Sequence, residues 1–150
     1  MLHDIITNNV LVASIFAWAL AQLAKALVAF LQGQGLRLRY LFGSGGMPSS
    51  HSALVSSLAT SVAMIQGFGS ITFAISLVVA LVVMYDAAGV RQSVSRQSRV
   101  LNRIVKELRV GQHVTEGELR ELVGHTPFQV FAGAALGIVV GWLWITIVST

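Results

Sequence analysis

No cysteine occurs in the chain. That excludes a disulfide framework, a zinc–thiolate centre and a cysteine nucleophile. Charge is scarce as well. Asp, Glu, Lys and Arg make up 11% of the 150 residues, against roughly 25% in an ordinary soluble domain. Only two prolines occur, Pro48 and Pro127, and each precedes an apolar run. What fills the space is hydrophobic: 55% of residues, with a mean hydropathy of +0.75. A soluble domain of this size has too much surface for its volume to hide that share. A soluble enzyme, a disordered tail and a disulfide scaffold are set aside on these grounds. The length fits a single membrane domain, 1–150. The pI is about 10.4. Because the basic residues lie beside apolar runs, they fit membrane phosphates rather than nucleic acid.

Three stretches carry no Asp, Glu, Lys or Arg: Ile5 to Ala24, Tyr40 to Tyr85 and Leu122 to Thr150. A membrane-crossing helix needs about 20 mostly apolar residues. The first and third stretches each hold one. The second holds two, divided at Gly67-Phe68-Gly69-Ser70, where glycines favour a turn. The reading is an all-α integral membrane helical bundle with about four spans, at 8–31, 51–67, 70–88 and 127–148. The second is short and rich in serine. Met1-Leu2-His3-Asp4 lacks the positive charge that opens a secretory signal, so the first span is expected to be retained.

Alternating spans put residues 32–50 and 89–126 on one side. All ten Lys and Arg residues fall there, counting Lys25 at that end of the first span. The positive-inside rule makes that side cytoplasmic. The expected location is the cell (inner) membrane, with the basic face in the cytoplasm. Within 89–110, Leu101, Ile104, Val105 and Leu108 recur at helical spacing. Arg96, Arg99, Arg103 and Lys106 form another stripe. That predicts an amphipathic cytoplasmic helix. Its arginines either hold the topology or turn inward to hold phosphate.

Gly133, Gly137 and Gly141 form a small face on the last span, and Ala13, Ala17 and Ala21 one on the first. Such faces let helices approach closely. The glycines suit either an internal contact or a homodimer. Lys25, four residues after Ala21, shares the packing face of the first span, where it either snorkels to the interface, the commoner fate near a helix end, or points into a polar site.

Two segments carry chemistry. Gly45-Gly46-Met47-Pro48-Ser49-Ser50-His51-Ser52 joins a turn to a helix start. Glycines let backbone N–H groups converge, and a helix N-terminus favours an anion such as phosphate. His51 stands in that first turn. Gly124-His125-Thr126-Pro127-Phe128-Gln129 opens the last span on the same side. Pro127 suits a first helical turn, and Gln129 stands one turn beyond His125. Two histidines at two span openings, beside an arginine-rich helix, suggest a shared phosphate site.

Pro48-Ser49-Ser50-His51 resembles the P-S-G-H motif of the type 2 phosphatidic acid phosphatases, relatives of the vanadium haloperoxidases. His125-Thr126-Pro127-Phe128-Gln129-Val130-Phe131-Ala132-Gly133 is similar to the superfamily's H-x-P-x-D-V-x-A-G. With Tyr85-Asp86-Ala87-Ala88-Gly89-Val90-Arg91, the pattern resembles its divergent membrane branch. The resemblance implies hydrolysis of a phosphorylated lipid or other phosphate ester without metal or cofactor. His125 would be the nucleophile that becomes phosphohistidine, and His51 the general acid. Gln129 would orient the ring. Gly46, Ser49 and Ser50 would bind phosphate oxygens, with Lys25, Arg91 and Arg99 supplying positive charge. The partners implied are the membrane and a phosphate-bearing small molecule or lipid.

The chain departs from the pattern in places. Ser50 stands for glycine and Gln129 for aspartate. No Arg-Pro dipeptide occurs, and Leu119 stands six residues before His125 where the pattern has arginine. Those departures support an alternative, a catalytically impaired membrane scaffold that binds phosphate or anionic lipid. Asp86, at the end of the third span, is either a salt-bridging structural carboxylate or part of the site.

Overall fold

The computed structural model describes residues 2–33, 46–90, 97–98, 100–101, 104 and 126–148. All regular structure among the described residues is helical. A short helix α1 (Leu2–Ile6) leads into α2 (Asn9–Leu31), then α3 (Ser50–Gln66), α4 (Ile71–Tyr85) and α5 (Pro127–Val148). A π-helical turn, Asp86–Val90, continues α4. The sequence reading and the structure agree on these four long helices to within a few residues. Residues 97, 98, 100, 101 and 104 are helical, with Val100, Leu101 and Ile104 exposed. The rest of the expected amphipathic helix lies outside the described residues.

The helix starts follow from local chemistry. Asn8, Ser49 and Ser70 each accept a hydrogen bond from the backbone N–H three residues on, and so cap α2, α3 and α4. Gly67 ends α3 with φ +82, a conformation that glycine adopts without a steric penalty. The α3–α4 pair is therefore a tight hairpin, with Phe68 and Phe73 edge to face across its turn at 5.2 Å.

Three helical segments are long and apolar enough to cross a membrane: α2, α4 with its π turn, and α5. Helix α3 has 17 residues and many hydroxyls, and it sits among the others. Ser52, Ser57 and Ser61 are fully buried, and Ser56 is nearly so. The hydroxyls of Ser57 and Ser61 have no hydrogen-bond partner among the described residues. Most of the exposed apolar residues lie on the surrounding helices, among them Leu27, Phe30, Ile71, Val82 and Phe131, and α3 adds Met64 and Ile65 near its end. Apolar outside and polar inside is the arrangement expected where hydrocarbon is the solvent.

Close packing is carried by the small residues. On α2, Ala13, Ala17, Ala21 and Ala29 are buried in one stripe. On α5, the glycine face points inward. A Cβ on Gly133 would lie 2.2 Å from the Ser49 carbonyl oxygen, and one on Gly137 would lie 2.2 Å from that of Ala53. On Gly141 it would lie 2.9 Å from that of Ser57. The pairs advance by four on both helices, so α3 and α5 run parallel and start at the same end. The glycine face is thus spent inside one protomer, and a homodimer would need another surface. Phe16 of α2 meets Trp144 of α5 at 5.3 Å and closes the bundle from the third side.

Candidate phosphate site

The start of α3 lies against the start of α5. The Ser49 N–H donates to the Gln129 carbonyl oxygen at 3.1 Å. This bond joins residues 80 apart in the sequence and brings both motif segments to one end of the bundle. Ser49 is wholly buried. Its hydroxyl accepts from the Ser52 N–H at 3.4 Å and from the Ser52 hydroxyl at 3.0 Å. Its carbonyl accepts the first N–H of the helical ladder, from Ala53, at 3.1 Å. All the polar groups of Ser49 are therefore engaged in holding α3 in place.

Ser50, next in line, is 2% exposed and makes no side-chain hydrogen bond among the described residues. His51 is exposed in the first turn of α3, where helix N–H groups and the positive dipole end are concentrated.

Lys25 completes this corner. It is 3% exposed, in line with the alanines of α2, as its spacing from Ala21 predicts. Gly46 sits on its aliphatic stem with φ +83, and a Cβ there would come within 3.0 Å of Lys25 Cγ. No hydrogen bond or ion pair joins the Lys25 ammonium to another described residue. A buried cation beside a helix N-terminus makes a local excess of positive potential, which suits an anion.

Gln129 has a defined task. Its side-chain oxygen accepts from the Thr126 N–H at 3.1 Å, and its own N–H donates to the Thr126 hydroxyl at 3.4 Å. This is a reciprocal capping box at the start of α5. The signal was legible as Thr126-Pro127-Phe128-Gln129, and reading Gln129 only as a ring partner passed over it. Asp86 opens the π-helical turn and is half-buried. Two residues before it, Met84 accepts a hydrogen bond from the Ser56 hydroxyl at 3.9 Å through its sulfur. That contact sets Asp86 in the half of the bundle that holds the start of α3. π-Helical turns of this kind occur often at functional sites. His125, Arg91 and Arg99 lie outside the described residues.

A helical membrane bundle is the class these observations define. The chain matches the Divergent PAP2 family over residues 6–140. It belongs to that family. It is also 35% identical over 146 residues to the uncharacterized membrane protein YuiD of Bacillus subtilis (strain 168), covering 90% of this chain and 92% of that one. No solved structure matches it. The chain is an integral membrane protein of a phosphatase-like kind.

Proposed function

We propose that the protein hydrolyses a phosphorylated lipid or another phosphate ester at the corner between α2, α3 and α5. The observation that carries this reading is the Ser49–Gln129 bond, which puts the two motif segments side by side next to buried Lys25. In this scheme a His125 ring nitrogen attacks phosphorus and the ester P–O bond breaks. The leaving oxygen takes its proton from His51. Water then attacks the phosphohistidine, giving inorganic phosphate and free His125. Division into two displacements lowers the barrier of each. Lys25, Arg91 and Arg99 neutralise charge on the transferring group, and Ser50 with the α3 N-terminus binds its oxygens. Electrostatic stabilisation of this kind is the main requirement of phosphoryl transfer. The concentration of Lys and Arg supports a cytoplasmic orientation of the corner in the cell membrane.

A second reading has its own support. Gln129 is committed to a capping box and carries no charge to stabilise an imidazolium. On that reading the corner binds phosphate or an anionic lipid headgroup without turnover. Phosphate release by the purified protein from lipid phosphates and from a soluble phosphomonoester separates the two. The enzyme reading expects release that disappears in both His125→Ala and His51→Ala. Phosphate binding with the same background release in all three proteins establishes the second reading instead.

A further inference from the structure

We infer that Gly133 is a positioning residue for the start of α3. Lacking a side chain, it lets the Ser49 peptide seat between two successive turns of α5. Residues 129 and 133 lie one turn apart on the same face of α5. The Gln129 carbonyl takes the Ser49 N–H at 3.1 Å, and the Ser49 carbonyl reaches to 2.2 Å from where a Cβ on Gly133 would stand. The same carbonyl is already held by the Ala53 N–H at 3.1 Å. It cannot rotate out of the way, because it is part of the α3 ladder. Every other polar group of Ser49 is engaged as well. A methyl at 133 therefore has one outlet, outward movement of the α3 N-terminus by roughly 1.2–1.8 Å to reach ordinary contact distance. That movement breaks the Ser49–Gln129 bond.

The consequence for the site rests on the phosphate reading above. The N–H groups of the first α3 turn point where α5 holds them, so the anion geometry depends on the absence of an atom at position 133. Gly141, at the far end of the seam, has no such role. Its Cβ would meet the Ser57 carbonyl at the milder distance of 2.9 Å, two helical turns from the site.

The test is amide hydrogen exchange on the full-length protein in detergent micelles, followed at Ser49 by NMR, for wild type, Gly133→Ala and Gly141→Ala. Inorganic phosphate binding is measured on the same samples. The Ser49 amide is expected to be protected in wild type and in Gly141→Ala. In Gly133→Ala it is expected to exchange about tenfold faster or more, beyond any change at mid-helix amides. Unchanged Ser49 protection in Gly133→Ala overturns the inference. Should that variant not fold, wild type alone decides, because a fast-exchanging Ser49 amide contradicts the seated peptide and a protected one upholds it. Phosphate binding is expected to weaken about tenfold in Gly133→Ala only. If Ser49 responds as described while wild type binds no phosphate, the positioning role stands and the phosphate reading fails.

Discussion

The Ser49 N–H donates to the Gln129 carbonyl oxygen at 3.1 Å, and this bond fixes the start of α3 against the start of α5. Hydrocarbon offers no partner to a backbone group, so a bond between two helix starts is costly to break. The two segments that resemble the phosphatase motifs are thereby held at one end of a parallel helix pair.

The parallel seam predicts a graded response to added methyl groups. Gly137→Ala drives a Cβ to 2.2 Å from the Ala53 carbonyl, and Gly141→Ala to 2.9 Å from that of Ser57. Thermal unfolding in detergent should show the larger loss for Gly137→Ala, about 1–3 kcal/mol by the usual cost of overpacking. Equal stability of the two variants would contradict the seam.

Lys25 separates packing from charge. Lys25→Met keeps a long apolar stem for Gly46 to rest on and removes the cation. It should fold as well as wild type or better, since a buried charge is lost. Its affinity for inorganic phosphate should fall about tenfold or more. Lys25→Ala should in addition lose stability, because the stem beneath Gly46 is gone. Wild-type phosphate affinity in Lys25→Met removes Lys25 from the site.

Gln129→Glu tests the capping box and the chemistry together. Thr-x-x-Glu is also a capping box, and a negative charge suits a helix N-terminus. Stability should hold or rise by about 0.3–1 kcal/mol. If a carboxylate is what turnover lacks, phosphate release should rise in this variant. Gln129→Leu, which cannot accept from the Thr126 N–H, should lose about 1 kcal/mol of stability. A Gln129→Leu melting curve that superimposes on wild type would mean the box contributes nothing.

Sidedness can be read directly, since the chain has no cysteine of its own. Met47 and Phe68 lie at opposite ends of α3 and both are exposed. In intact cells, Met47→Cys should resist an impermeant thiol reagent and Phe68→Cys should react with it. The reverse pattern would turn the positive-inside assignment over.

The amino-acid sequence alone determined the membrane embedding and the limits of the four long helices. Apolar run length, Gly67 and the capping serines are local signals, and a chain that must satisfy its backbone in lipid has little choice but helix. It also placed Lys25 on a packing face, because helical periodicity is local. Tertiary structure decided what the small residues pack against. Glycines at 133, 137 and 141 suit a second copy as well as a neighbouring helix, and only the carbonyls of Ser49, Ala53 and Ser57 lying over them make the contact internal. Likewise Ser49 reads in sequence as a phosphate ligand. Its engagement in the cap, in the α3 ladder and with Gln129 came from two helices meeting, and no local pattern encodes a contact across 80 residues.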